Sequence, residues 1–152
     1  MADNKREGMD RPAMAAEYHA AGMNCAQAVA GAYADVIGLD LKKIFALTGT
    51  FGGGFRSHEI CGAITGAAVV LGAKYPHDTL GDMAAKSFTS KKMMEFVRRF
   101  RERFPALTCR DLRDIPGDPS VSPAAKRLGL TRSCDIYIVA AVEILEEMFS
   151  EA

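Results

Sequence analysis

Helix starts are the clearest punctuation in this chain. Asp10, Asn24, Asp40, Thr108 and Ser133 each carry a side chain that can accept a hydrogen bond from a backbone N–H two or three residues on. Each stands before a run whose apolar residues recur at helical spacing. Stops are equally legible: Gly22 and Gly38 break the pattern, and Pro76 and Pro105 terminate it. No run alternates polar and apolar residues as a strand does, and nothing repeats at a fixed period. The pattern predicts an all-α fold, a single compact helical bundle of six or seven helices.

The expected helices follow from these marks. The first runs from Asp10 as cap, with Pro12 in its first turn, to about Ala20. A second begins after Asn24 and carries Val29, Tyr33, Val36 and Ile37 to Gly38, and a third opens at Asp40 with Leu41, Ile44, Phe45 and Thr48 on one face. A fourth is expected from near Ser57 through Cys61 to about Ala73. A long one then runs from about Asp78 to Phe104 on a stripe of Met93, Val97, Phe100 and Phe104. Thr108 caps a short helix, residues 123–128 add a turn, and Ser133 caps a last helix with Ile136, Ala140, Ile144, Leu145 and Met148 inward. The chain of 152 residues suits one domain, residues 10–152, behind a loose tail over residues 1–9.

Charge narrows the function classes. Nineteen basic side chains balance nineteen acidic ones, so net charge calls for neither nucleic acid nor an anionic membrane. The charged N-terminus lacks the apolar run of a signal peptide, and the apolar stretch from Gly62 to Ala73 is far shorter than the roughly 20 residues of a spanning helix. The expectation is a soluble cytoplasmic protein with no membrane insertion. In a reducing cytosol its four cysteines should not be permanent disulfides, which leaves metal, redox chemistry or plain burial.

Those cysteines are Cys25, Cys61, Cys109 and Cys134, with no CxxC pair and no CxxCH haem-attachment site. Three directly follow a capping residue, in Asn24-Cys25, Thr108-Cys109 and Ser133-Cys134. A sulfur in the first turn of a helix sits beside unpaired N–H groups and a partial positive charge, which favours the thiolate. Arg56, Arg110 and Arg132 add cations close in sequence to Cys61, Cys109 and Cys134. On this pattern Cys25, Cys109 and Cys134 should react faster than Cys61 in metal-free protein. A buried cysteine that packs as a small hydrophobe is the bland alternative.

Glycines frame Cys61. Gly52-Gly53-Gly54 follows a helix rather than a strand, and no GxxxxGK[ST] is present, so a nucleotide loop is disfavoured. The loop is expected to turn the chain sharply and offer N–H groups to something negative, such as a sulfur. Gly62 and Gly66 lie one turn apart and leave a nearly bare helix face. That face suits either a close helix crossing or a cofactor wall. Three weaker signals remain. His58 lies three residues before Cys61, a spacing that could share a metal. His19 and His77 have no partner at suggestive spacing. Seven basic residues between Lys86 and Arg103 form a solvated face or a docking surface for an acidic redox partner protein.

"NCAQAV", "GTFGGGF", "EICGAITGAAVVLGAKY", "EFVRRFRERF", "CRDL" and "SCDIYIVAAVEILEE" together resemble the C_GCAxxG_C_C redox-active proteins over nearly the whole domain. Cys61 to Gly66 matches that family's CGAxxG signature. The family's four cysteines correspond to Cys25, Cys61, Cys109 and Cys134. The resemblance implies a redox protein, and a similar domain in split-Soret cytochromes pairs an iron–sulfur centre with haem. The chain has no CxxCH, so the haem half of that likeness does not carry over, and His58 lies outside the signature.

Three chemistries are then open. The four thiolates could be ligands of an iron–sulfur cluster, [2Fe–2S] or [4Fe–4S], with the glycines Gly52, Gly53, Gly54, Gly62 and Gly66 around it. Two of the cysteines could exchange with disulfides without metal. A structural zinc site held by all four cysteines ranks third, because zinc usually draws ligands in close CxxC pairs. A homodimer is compatible with all three.

Overall fold

The computed structural model describes residues 8–151. Its helices are α1 (Arg11–Ala20), α2 (Cys25–Gly31), α3 (Ala34–Ile37), α4 (Leu41–Thr48), α5 (Gly62–Lys74), α6 (Met83–Arg103), α7 (Cys109–Leu112), α8 (Pro123–Arg127) and α9 (Ser133–Ser150). Six of them have seven residues or more, and among the described residues there is no strand beyond one isolated bridge. The fold is all-α, as the capping pattern predicts. Most of the expected tail lies outside the described residues.

α9 and α2 occupy the middle of the molecule. α9 is buried continuously from Ile136 to Val142, and its stripe of Ile144, Leu145 and Met148 continues the core. The Ala-rich α2 packs on α1, α4, α5 and α9, which small side chains permit. Its entry is fixed by reciprocal hydrogen bonds: Gln27 N–H donates to Asn24 Oδ1 and Asn24 N–H to Gln27 Oε1, both at 2.8 Å.

The expected second helix does not reach Ile37 unbroken. It ends at Gly31, and α3 restarts after Tyr33. The break has a partner. Arg11, 5% exposed, donates to the Ala32 carbonyl at 2.7 Å, holds Asp35 through two hydrogen bonds and lies 4.3 Å over the Tyr33 ring. The Tyr33 hydroxyl donates to Val142 O at 2.9 Å, so the interruption is tied to α9.

Three other boundaries shift. α5 begins at Gly62 rather than near Ser57, with Cys61 as its N-cap residue. Gly53, Gly54, Phe55, Arg56 and His58 all have positive φ, which no right-handed helix tolerates. α6 starts after Asp82, whose carboxylate accepts from Ala85 N–H at 3.0 Å. α9 is preceded by Arg132, so Ser133 is its first residue rather than its cap, and Cys134 is the second. On α6, Phe96 and Phe100 are buried and Met93 and Val97 half-buried, while the first turns of the helix stand largely in solvent.

Candidate functional site: four thiols at four helix starts

Each cysteine sits at the start of a different helix: Cys25 on α2, Cys61 before α5, Cys109 on α7 and Cys134 on α9. Three contacts gather these ends. A Cβ on Gly62 would lie 2.9 Å from Cys25 Cβ, so the N-termini of α2 and α5 touch. Gly66 meets the Ala26 backbone just as closely. The bare face of α5 is therefore filled by α2, the helix-crossing alternative. Residues 59–61 also pair with 107–109 across the bridge, through Cys61 N–H to Leu107 O at 2.8 Å and Cys109 N–H to Glu59 O at 2.6 Å. Finally, the Tyr137 hydroxyl donates to Leu112 O at 2.7 Å and draws α7 onto α9.

The glycine loop serves this gathering. Gly52 packs on the Asn24 side chain, beside the start of α2, and a Cβ on Gly54 would meet the Glu59 backbone at 2.5 Å. Glu59 N–H donates to Gly54 O at 3.2 Å, closing a wide left-handed turn that delivers the chain into the bridge. Arg110 steadies the turn from α7 through Glu59 Oε1 at 2.9 Å and Ser57 O at 3.3 Å.

The four sulfurs share electrostatics, and they do not share them equally. Interaction with Cys134, burial and the other cysteines hold the Cys25 thiol far above the ordinary thiol range. Cys134 moves the other way, down to about 6: interaction with Cys25 lowers it most, and His19 and Arg132 assist against the cost of burial. Burial pushes Cys61 up to about 12 despite nearby N–H groups of Ala63 and Ile64. Burial and Cys134 raise Cys109, with Arg113 opposing. Position at a helix start, taken alone, favours three activated thiols. Only Cys134 is lowered, because desolvation outweighs the helix end at Cys109, while interaction with Cys134 is the larger effect at Cys25.

All four cysteines stand as free thiols. Among the described residues, no group of three or more His, Cys, Asp or Glu side chains is arranged to hold a metal ion. His58 does not share a helix with Cys61; its Nδ1 lies 3.4 Å from Arg113 Nη1. His19, which has no partner at suggestive spacing, is joined to Asp135 on α9, Nδ1 to Oδ1 at 2.6 Å. The two residues are far apart in sequence, and only the α1–α9 packing brings them together beside Cys134. A cleft of about 450 Å3 opens on Cys134, with Arg113, Asp114, Gly117, Thr131 and Arg132 on its wall.

With the four helix starts in place, a family profile described as "Putative redox-active protein (C_GCAxxG_C_C)" matches residues 23–148, from just before Cys25 to the end of the α9 stripe. The chain belongs to this family. Its label spells GCAxxG, whereas the chain reads Cys61-Gly62-Ala63-Ile64-Thr65-Gly66, the first two letters exchanged. In comparisons with curated proteins and with solved structures, nothing matches. No helix among the described residues is long and apolar enough to cross a membrane.

Proposed function

We propose that this family member performs thiol–disulfide redox chemistry at the Cys25–Cys134 couple, with Cys134 as the attacking thiolate and Cys25 as the resolving thiol. What carries this reading is the opposite bias of the two thiols on each other: Cys134, which lines a cleft, is lowered and half-buried Cys25 is raised, each chiefly by the other. Cys134 sulfur attacks one sulfur of a disulfide RSSR, the S–S bond breaks, and RS− leaves with the electron pair. Cys25 then loses its proton to the departing thiolate and attacks the Cys134 sulfur, releasing the second RS−. Two protein thiols are oxidised and one disulfide is reduced to two thiols.

A second reading rests on four thiols at four helix starts that contact one another, the donor set of an iron–sulfur cluster that would supply one-electron transfer. Among the described residues, no three of them are already gathered as a bound ion requires. The couple is therefore the reading the geometry favours.

The test is anaerobic purification with iron, acid-labile sulfide and zinc measured per chain, followed by treatment with hydroxyethyl disulfide and mapping of cross-linked peptides. Metal-free protein that loses two thiols and yields a peptide joining Cys25 to Cys134 is the expected result. Stoichiometric iron with sulfide transfers the conclusion to the cluster, and zinc alone recasts the centre as structural.

A further inference from the structure

Resting on the thiol-couple reading, we infer that the cleft over Cys134 selects small anionic disulfides, Arg113 and Arg132 holding a carboxylate of the substrate while Cys134 attacks its sulfur. Two arginines, Arg113 and Arg132, line this cleft together with Cys134. Arg11, Arg98, Arg99, Arg103, Arg110 and Arg127 each hold a carboxylate within 2.9 Å. Arg132, like Arg56 and Arg101, forms no ion pair among the described residues. Arg113 is held only loosely, 3.9 Å from the exposed Asp114 carboxylate and 3.4 Å from His58 Nδ1. Both arginines and Cys134 line one cleft, with Asp114 as the carboxylate on that lining.

Guanidinium groups present paired N–H donors matched to a carboxylate, so two of them beside a nucleophile form a recognition surface as well as a source of charge. At about 450 Å3 the cleft is in the volume range of small-ligand sites. Its wall is built: a Cβ on Gly117 would overlap the Thr131 carbonyl, so this loop closes tightly on the segment that carries Arg132. Arg132 has no capping bond to lose, because its side chain makes none to α9.

The chemistry needs no further reductant. The substrate disulfide is the oxidant, and one equivalent converts the Cys25 and Cys134 thiols to their disulfide with release of two substrate thiols.

The experiment compares stopped-flow rates of the reduced full chain with the dianionic 5,5′-dithiobis(2-nitrobenzoate) and the uncharged 2,2′-dithiodipyridine. Each rate is referred to that of N-acetylcysteine amide with the same probe. The expected result is an anionic-to-neutral ratio above the small-thiol reference, weakening with salt and falling about tenfold in Arg113→Gln/Arg132→Gln. Because both arginines can also shift the reactivity of Cys134, the ratio is the readout, not either rate. A ratio equal in wild type and variant overturns the selectivity while a mapped Cys25–Cys134 disulfide leaves the couple standing. If neither probe yields that disulfide, the couple fails and the selectivity with it.

Discussion

Cys25 and Cys134 bias each other in opposite directions, and their different surroundings decide which sulfur is left charged. The lowered Cys134 thiol is a thiolate above about pH 6, whereas an ordinary cysteine is one only above roughly 8.5. Alkylation at Cys134, followed by peptide mass, should therefore stay fast on acidification until the pH passes about 6, with the other three thiols unreactive there. Cys25→Ala removes the partner that contributes most, so the midpoint at Cys134 should move up toward the ordinary value. A midpoint unchanged in that variant would show that His19 and Arg132 suffice. The sign for stability follows: a group whose pKa is depressed on folding stabilises above its unfolded pKa, and that contribution is lost as pH falls through about 6. Helix-start cysteines are visible from the sequence in Asn24-Cys25 and Thr108-Cys109. The His19–Asp135 pair and the interaction of Cys25 with Cys134 are not, since each joins residues more than a hundred positions apart and no local pattern encodes such a meeting.

Between elements, the α2–α5 crossing sets how closely two of the cysteine-bearing helix ends approach. Gly66 faces the Ala26 carbonyl at 2.7 Å and Cα at 2.9 Å for an added Cβ, whereas Gly72 on the same helix has nothing within 4 Å. Gly66→Ala should therefore destabilise by about 1–3 kcal/mol through backbone displacement. Gly72→Ala should be neutral or stabilise by about 0.5–1 kcal/mol through helix propensity. Urea denaturation of the pair separates the effects, since propensity alone predicts the same sign for both. The caps at Asp10, Asn24, Asp40 and Thr108 are readable because each is satisfied locally, by an N–H three residues on. The start of α5 is not, because Phe55, Arg56 and His58 adopt positive φ under the pull of a bridge to residues 107–109. Tertiary pairing overrides local preference there, and it is the same pairing that brings Cys61 and Cys109 together.

At the scale of the whole molecule, the couple joins α2, near the beginning of the described chain, to α9 at its end. Oxidation would close a loop from residue 25 to residue 134, and on chain entropy alone such a loop is worth about 4–5 kcal/mol. For a domain of this size that corresponds to roughly 10–15 °C in Tm. The oxidised protein should accordingly melt higher than the reduced one, and Cys134→Ser should abolish the difference while leaving the reduced form close to its original Tm. Calorimetry of both redox forms, wild type and variant, checks this. Equal melting of the two wild-type forms would mean that the disulfide distorts the α2–α9 contact by as much as it restrains the unfolded chain. The sign of the shift also bears on chemistry. A disulfide that stabilises the fold is harder to reduce by the same free energy, so a large rise in Tm marks a protein that stays oxidised, and a small one marks a couple poised to cycle.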